Sequence, residues 1–181
     1  SKNIYTLELF HGPTLAFKDV GARFLSRCIS HTLKNDERIT VLVATSGDTG
    51  GAVANGFMDM EGIDVVVLYP KNKVSDLQER QFTTLGKNIK AISVDGTFDD
   101  CQKFVKDAFT DIQINSHLNL TSANSINIAR WLPQMFYYFI CYKKLSKLNK
   151  KLIFSVPSGN FGNLCSGILA KKMGLPIHHF I

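Results

Sequence analysis

The stretch His11 to Lys18, HGPTLAFK, sets one amine at the end of an apolar turn that leads into a helical pattern. Burial disfavours a charged ammonium and lowers its pKa, so a lysine in such a place can act as a neutral nucleophile and form a Schiff base with a carbonyl. The competing reading is that Lys18 opens the helix and carries its ammonium out to water along its own apolar stem. Two further segments have the composition of anion-binding turns: Thr45, Ser46, Gly47, Asp48, Thr49, Gly50 and Gly51, and Ser158, Gly159, Asn160, Phe161, Gly162 and Asn163. Each follows an apolar strand pattern and precedes a helical one. Glycines there let backbone N–H groups converge on a negative oxygen, and the helix that follows adds the positive end of its dipole. No GxxxxGK or GxGxxG is present, so each turn alone also reads as a plain strand-to-helix connection. Two of them at the carboxyl ends of strands in one parallel sheet strengthen the ligand reading, because that edge is where such folds bind ligands.

A third polar segment, Thr121 to Arg130, lies just ahead of an apolar helical pattern. Asn127 and Arg130 share a helix face there. An arginine beside amide donors suits a carboxylate or phosphate; the alternative is a capping cluster with a surface ion pair. His11, His31, His117, His178 and His179 show no triad or metal-ligand spacing, and no pair of carboxylates marks itself out for acid–base work. Cys28, Cys101, Cys141 and Cys165 are scattered through apolar helical patterns without a CxxC pair, which predicts reduced core thiols, no metal, and a cytoplasmic or organellar setting.

These groups need a scaffold, and the chain is long enough to supply one. Its 181 residues, 45% hydrophobic and 20% charged, have the composition of an ordinary globular domain, with no apolar run that spans a bilayer and no signal peptide. The net charge of +6 is concentrated in Lys143, Lys144, Lys147, Lys150 and Lys151 at a helix end, where the macrodipole and solvent account for it, so nucleic-acid binding is not favoured. Short apolar runs at Ile39 to Ala44, Val65 to Tyr69, Ile89 to Val94, Leu152 to Val156 and Ile177 to Ile181 predict strands buried on both faces. Helical patterns between them predict βαβ crossovers and a mainly parallel α/β fold. Thr97 and Asp100 form a capping box before a helix whose core face carries Cys101, Phe104, Val105, Ala108, Phe109 and Ile112. Ser75 and Gln78 introduce another helix, expected to end at Gly86. The segment from about Ile126 to Leu145 is apolar nearly all round and is expected to be buried, with Pro133 kinking it or marking its first full turn. Ile177 to Ile181 reads as a core strand cut at the last residue, which predicts a piece of a longer protein.

ELFHGPTLAFKD at Glu8 to Asp19, ATSGDTGGAVA at Ala44 to Ala54, TSANSINIARW at Thr121 to Trp131 and SVPSGNFGN at Ser155 to Asn163 together resemble the threonine synthase family. The resemblance covers nearly the whole chain. It implies a fold type II pyridoxal phosphate enzyme, similar in architecture to the tryptophan synthase β-subunit, with pyridoxal 5'-phosphate as cofactor. Lys18 matches the family's Schiff-base lysine, which displaces the snorkelling reading. Gly159, Asn160, Phe161, Gly162 and Asn163 match the loop that holds the cofactor phosphate. Ser46, Gly47, Asp48, Thr49 and Gly50 match the loop under the substrate α-carboxylate and beside the pyridoxal ring. Related enzymes carry Asn where this chain has Asp48, next to the ring's phenolic oxygen, so an aspartate there must share a proton or face repulsion. Asn127 and Arg130 match positions assigned to the substrate phosphate.

The implied reaction takes O-phospho-L-homoserine and water to L-threonine and phosphate, with Lys18 exchanging protons while the ring accepts electrons. The implied architecture is a smaller α/β lobe, residues 27–124, between residues 1–26 and 125–181 of a larger lobe, with the cofactor between the lobes. The family's preceding and following segments, the latter contacting the pyridine nitrogen, have no counterpart here, so the rest of a parent chain is expected to complete the fold. Two alternatives stand beside this: another fold type II enzyme, such as a serine or threonine dehydratase, and a non-catalytic relative that binds a phosphate metabolite.

Overall fold

The run Ile39–Ala44 is apolar at nearly every position, which suits a strand covered on both faces. In the computed structural model, which describes residues 3–34, 36–125 and 127–181, it is an interior strand of a four-stranded parallel sheet. In chain order the elements are α1 (Lys18–Thr32), β1 (Ile39–Ala44), α2 (Asp48–Phe57), β2 (Ile63–Pro70), α3 (Asp76–Thr83), β3 (Ile89–Val94), α4 (Phe98–Thr110), α5 (Ile112–His117), β4 (Leu120–Ser122), α6 (Ile128–Trp131), α7 (Met135–Leu145), β5 (Leu152–Phe154), α8 (Gly162–Lys172) and β6 (Ile177–Phe180). Short 3-10 turns lie at Leu132–Gln134 and Ser146–Leu148. The sheet order is β3-β2-β1-β4, and β5 and β6 form a separate parallel pair, so the two glycine turns, after β1 and β5, follow strands of two sheets and not of one as expected. Parallel pairing requires crossovers, and helices supply them, as the alternating pattern predicts.

Each face of β1 meets a different helix layer. Val41 and Val43 pack with Val65 and Val67 of β2 against Ala22 and Leu25 of α1 and Val53 and Phe57 of α2. Leu42 and Ala44 pack against Cys101 and Val105 of α4. A second core gathers Met135, Tyr138, Ala170, Leu175 and Ile177 around β5 and β6. The expectation that every strand is buried on both faces holds for β1 and, with Val66 and Leu68 partly buried against the α4 layer, for β2, and fails at β3, β5 and β6. Lys90, Ala91 and Ile92 of β3 are exposed because β3 is a sheet edge, and Ile153 of β5 faces away from the only side that α7 and α8 cover.

Three helical expectations also need correction. The Thr97–Asp100 capping box forms, with Thr97 Oγ1 accepting from the Asp100 N–H at 3.2 Å and the Asp100 carboxylate accepting from the Thr97 N–H at 2.7 Å. These hydrogen bonds hold the Asp100 carboxyl below its ordinary range. Only Cys101 and Val105 of its apolar stripe are fully buried, whereas Phe104 and Phe109 stay exposed and Ile112 opens a separate helix. The helix after Ser75 ends at Thr83 rather than Gly86, which takes its left-handed φ of 63° in the loop beyond; the Ser75 hydroxyl donates to the Gln78 side chain and caps no backbone N–H. The segment read as one buried helix is divided into α6, a 3-10 turn and α7 at Pro133, which has no N–H for the helical ladder. Met135 and Tyr138 are buried, but Phe136 and Ile140 are about half exposed on the side that nothing described here covers. Ile126, at the start of that segment, lies outside the described residues.

Strand β4 is absent from the sequence expectation because its three residues read as the polar lead of the following helix. It pairs with β1, Thr40 beside Leu120 and Leu42 beside Ser122. Asn124 then continues the ladder with its side chain: Nδ2 donates to the Ala44 carbonyl at 2.8 Å and Oδ1 accepts from the Ala44 N–H at 3.1 Å. The cysteines are free, but the expectation of core thiols holds only for Cys101; Cys28 and Cys141 are partly buried, and Cys165 is exposed on α8.

Helix α1 reaches its place through Gly21, where an added Cβ would lie 2.1 Å from the Arg130 carbonyl oxygen. Gly21→Ala is therefore expected to destabilise the fold by roughly 1–3 kcal/mol, read by urea denaturation, because backbone must move to admit the methyl. Unchanged stability would show that α1 is not locked against α6.

Candidate active site

Lys18 is the first residue of α1, and the turn before it is fixed from within and from both sides. Asp19, 3% exposed, accepts hydrogen bonds from the Thr14 N–H at 3.0 Å and the Thr14 hydroxyl at 2.5 Å. A Cβ at Gly12 would lie 2.2 Å from the same carboxylate, so the chain can pass there only as glycine. Leu15 takes a left-handed φ of 60°. From α3, Gln81 Nε2 donates to the Thr14 carbonyl at 3.2 Å; from α7, the Tyr137 hydroxyl donates to the Phe17 carbonyl at 2.6 Å.

The ammonium that this turn delivers does not snorkel. Its side chain is 13% exposed, and Nζ donates to Asp48 Oδ1 and to Thr49 Oγ1, each at 2.9 Å. Both acceptors lie in the first turn of α2, where the dipole also favours the Asp48 carboxylate. Thr45 holds the approach to α2. Its hydroxyl oxygen accepts from the N–H groups of Gly47 at 3.0 Å and Gly50 at 2.8 Å and donates to the Gly47 carbonyl at 3.1 Å. The amides of Gly47 and Gly50 are thus satisfied within the turn, whereas among the described residues those of Ser46, Asp48 and Thr49 find no acceptor and join the exposed Ser46 and the side chains of Asp48 and Thr49 as its remaining polar groups.

The second glycine turn is wired differently. Asn163 Oδ1 accepts from the Ser158 hydroxyl and, at 3.0 Å, from the Leu164 N–H, while its Nδ2 donates to the Pro157 carbonyl at 2.9 Å. The Tyr138 hydroxyl donates to the Asn163 carbonyl at 2.6 Å. Phe161, with φ of 58°, turns the chain into α8. Among the described residues, the N–H groups of Gly159, Asn160, Phe161 and Gly162 find no acceptor in the chain. A Cβ at Gly159 would meet nothing within 4 Å, so open space lies before these donors. Free amides at the start of an eleven-residue helix make an anion cradle.

The lysine and the cradle wall one cavity of about 240 Å³, lined by Lys18, Asp48 and Gln134 together with residues 157–163. A larger cavity of about 630 Å³ lies beside it, between the carboxyl end of β1 and one face of α4, and shares Ser125 and Asn160 with the first. Asn127 and Arg130 line neither cavity. Asn127 caps α6, its Oδ1 accepting from the Ala129 N–H at 3.0 Å and its Nδ2 donating to the Ser122 carbonyl at 3.0 Å. Arg130 is 1% exposed, donates Nη1 to the Ala123 carbonyl, and is no part of a surface ion pair. Burial pulls its pKa down to about 10, against the opposing pull of Asp48.

Several contributors carried no sequence signal. Tyr137, Tyr138 and Gln134 sit in an apolar helical pattern, and nothing in one dimension shows where their polar ends go. Gln134, 4% exposed, donates Nε2 to the Arg130 carbonyl at 2.9 Å and keeps an unpartnered Oε1. Asp19, adjacent to Lys18 and five residues from a threonine in a Gly-Pro turn, could have been picked out as a clamp. The histidines stand apart from both cavities; His11 pairs with Glu8 at 3.0 Å in an exposed contact.

Burial pushes the Tyr138 phenol up to about 12 and the Tyr137 phenol higher still, from an ordinary value of 10.0. Their neutral forms belong to the fold, so their contribution is complete below pH 10 and is lost as pH rises toward 12, where the unfolded chain ionises first. Urea unfolding at stepped pH should show stability falling across that window, with a shallower fall in Tyr137→Phe. An unaltered slope in the variant would mean that Tyr137 ionises freely.

Comparison with known proteins accounts for a lysine facing an anion cradle at the edge of a parallel sheet. The chain is 56% identical over 182 residues to the threonine synthase of Buchnera aphidicola subsp. Acyrthosiphon pisum, a match that takes in 100% of this chain and 42% of that protein. The crystal structure of threonine synthase from Escherichia coli matches with a TM-score of 0.89 and 51% identity, over 96% of this chain and 41% of that one. The crystal structure of pyridoxal-phosphate-bound threonine synthase from Brucella melitensis matches with a TM-score of 0.88 and 45% identity, over 99% of this chain and 39% of that one. The chain therefore spans about two-fifths of the length of these relatives, and its fold is that of the type II pyridoxal phosphate enzymes. The sequence profile of pyridoxal-phosphate dependent enzymes matches residues 2–181. Because that match takes in the lysine turn, both glycine turns and everything between them, the chain belongs to the pyridoxal-phosphate dependent enzyme family.

Proposed function

We propose that these residues form the cofactor-holding part of a threonine synthase, which converts O-phospho-L-homoserine and water to L-threonine and phosphate. The observation that carries the proposal is that one cavity has a lysine amine on one wall and four unpaired amides on another. Pyridoxal 5'-phosphate, with an aldehyde and a phosphate on one ring, fits that donor set. Lys18 Nζ would bond the aldehyde carbon, and Gly159, Asn160, Phe161, Gly162 and Asn163 would hold the phosphate, Asn163 by locking the loop. When bound, the group supplies an electron sink for carbanions formed on the substrate.

The chain's own residues then divide the remaining tasks. Lys18 Nζ, already within hydrogen-bond distance of Asp48 and Thr49, is the base that takes and returns protons at the substrate carbons once it is free. Asp48 keeps the amine aimed into the cavity and lies where the ring's phenolic oxygen is expected. Ser46, Gly47, Asp48, Thr49 and Gly50 are assigned to the substrate α-carboxylate, with Ser46 and Thr49 offering hydroxyl donors. Asn127 and Arg130 are assigned to the phosphate side of the substrate; in the observed arrangement both act through the backbone beneath Ser122 and Ala123.

The division into a smaller lobe, residues 27–124, and a larger one, residues 1–26 and 125–181, draws support from the separate cores on the four-stranded sheet and around β5 and β6, although Ala22 and Leu25 of α1 pack into the former. Helix α1 runs unbroken across the first boundary and ties the lobes. The remainder of a parent chain would cover the open side of β5 and β6. Among the described residues no helix is long and apolar enough to cross a membrane; a cytoplasmic setting and small-molecule ligands rather than nucleic acid belong to the same proposal.

In the full-length protein, borohydride reduction after loading with pyridoxal phosphate is expected to modify Lys18 stoichiometrically, as read by peptide mass. Lys18→Ala is expected to lose both the modification and turnover of O-phospho-L-homoserine. Modification spread over surface lysines, or turnover retained without Lys18, would overturn the proposal.

A further inference from the structure

The larger cavity extends beyond Lys18, which lines only the smaller one, and its lining is chemically one-sided. Helix α4 presents Phe98, Gln102, Val105, Lys106 and Phe109 to it, a stripe that winds along one side of the helix. Gln102 and Lys106 stand one turn apart and face the hydroxyls and amides at the carboxyl edge of the sheet, Ser46, Thr49 and Ser125 among them. Lys106 is the only charged residue in that lining, and no carboxylate joins it among the described residues. Nor does Lys106 form an ion pair there, whereas Lys103, on another side of the same helix, is bound to Asp107 at 2.6 Å. Of the other cations nearby, Lys18 lines the smaller cavity and is paired with Asp48, and Arg130 is buried and lines neither cavity.

A cavity of about 630 Å³ with neutral donors, one unpaired cation and no anion favours an anionic ligand group. It also joins the lysine cavity through Ser125 and Asn160, so one molecule can occupy both. We propose that Lys106, assisted by Gln102, binds the phosphate end of the substrate and determines specificity for a phosphorylated amino acid. This rests on the function proposed above. The Ser46–Thr49 turn already offers donors for a single negative carboxylate; a phosphate dianion gains most from a full cation at the far wall. Lys106 supplies charge and hydrogen bonds and transfers no proton, leaving the proton traffic to Lys18.

The test uses full-length protein loaded with pyridoxal phosphate, so that the cradle of residues 159–163 is filled. Lys106→Ala is expected to raise KM for O-phospho-L-homoserine about tenfold or more, with Lys106→Arg recovering part of the loss, as removal of a charge-assisted contact requires. Direct titration with inorganic phosphate should show the same loss of affinity, while L-homoserine, which lacks the phosphate, should bind as before. Lys103→Ala should leave all three unchanged. A KM within about twofold of the parent, or equal weakening of L-homoserine and phosphate, would overturn the assignment. Thermal unfolding and borohydride labelling of Lys18, both expected to be unaltered in Lys106→Ala, separate a local effect from a folding defect. If the parent does not turn over O-phospho-L-homoserine, the function proposed above fails, and the phosphate titration still decides whether Lys106 holds the anion.

Discussion

A lysine ammonium drawn out of water must be compensated where it lands, and most of the observed architecture serves that requirement. Lys18 finds an aspartate and a threonine hydroxyl at the start of α2, both at 2.9 Å. Neither partner would be there without Thr45, which spends its hydroxyl on the turn that begins the helix. The amine would not point that way without Asp19, which ties the preceding turn to Thr14. Removing one partner of such a pair leaves a poorly solvated charge, so the surrounding hydrogen bonds matter for position more than for net stability.

The two glycine turns look alike in composition and are closed by different side chains. The first pairs the amides of Gly47 and Gly50 internally, through Thr45, and so becomes a rigid mount for Asp48 and Thr49. The second ties itself together with the side chain of Asn163 and the hydroxyl of Tyr138, which leaves its amides unspent. The difference follows from which side chain closes the loop. The inward-facing Thr45 oxygen takes up two N–H groups of its turn, whereas Asn163 closes its loop on the Pro157 carbonyl, the Ser158 hydroxyl and the Leu164 N–H and takes none from residues 159–162. The parallel sheet brings the mount and the edge of the larger cavity together, because the carboxyl ends of neighbouring parallel strands share an edge.

Much of this was legible in the linear chain. The strand runs at Ile39–Ala44 and Ile89–Val94 stand where the apolar pattern put them, the capping box at Thr97 forms, and the glycine turns follow strands and open helices. Local preferences decide such features, since strand periodicity, capping and glycine conformations depend on neighbours a few residues away. Lys18 also stood out from sequence, because an amine in an apolar turn has few roles.

What sequence left open depends on distant residues. Tyr137 lies far along the chain from the Phe17 carbonyl that it binds, and Asn124 becomes an extra rung of β1 only when β4 pairs there. The same holds for α4, whose apolar stripe reads as core but divides between the sheet and a cavity wall. Sequence determined the chemistry available, a reactive amine, two anion-type turns and a parallel α/β frame, because residue type and short-range spacing fix these. Tertiary structure alone decided whether Lys18 faced water or Asp48, which amides of the second glycine turn face a cavity, and which cation the larger cavity presents. Those outcomes depend on burial and on hydrogen bonds between segments that only the completed packing brings together.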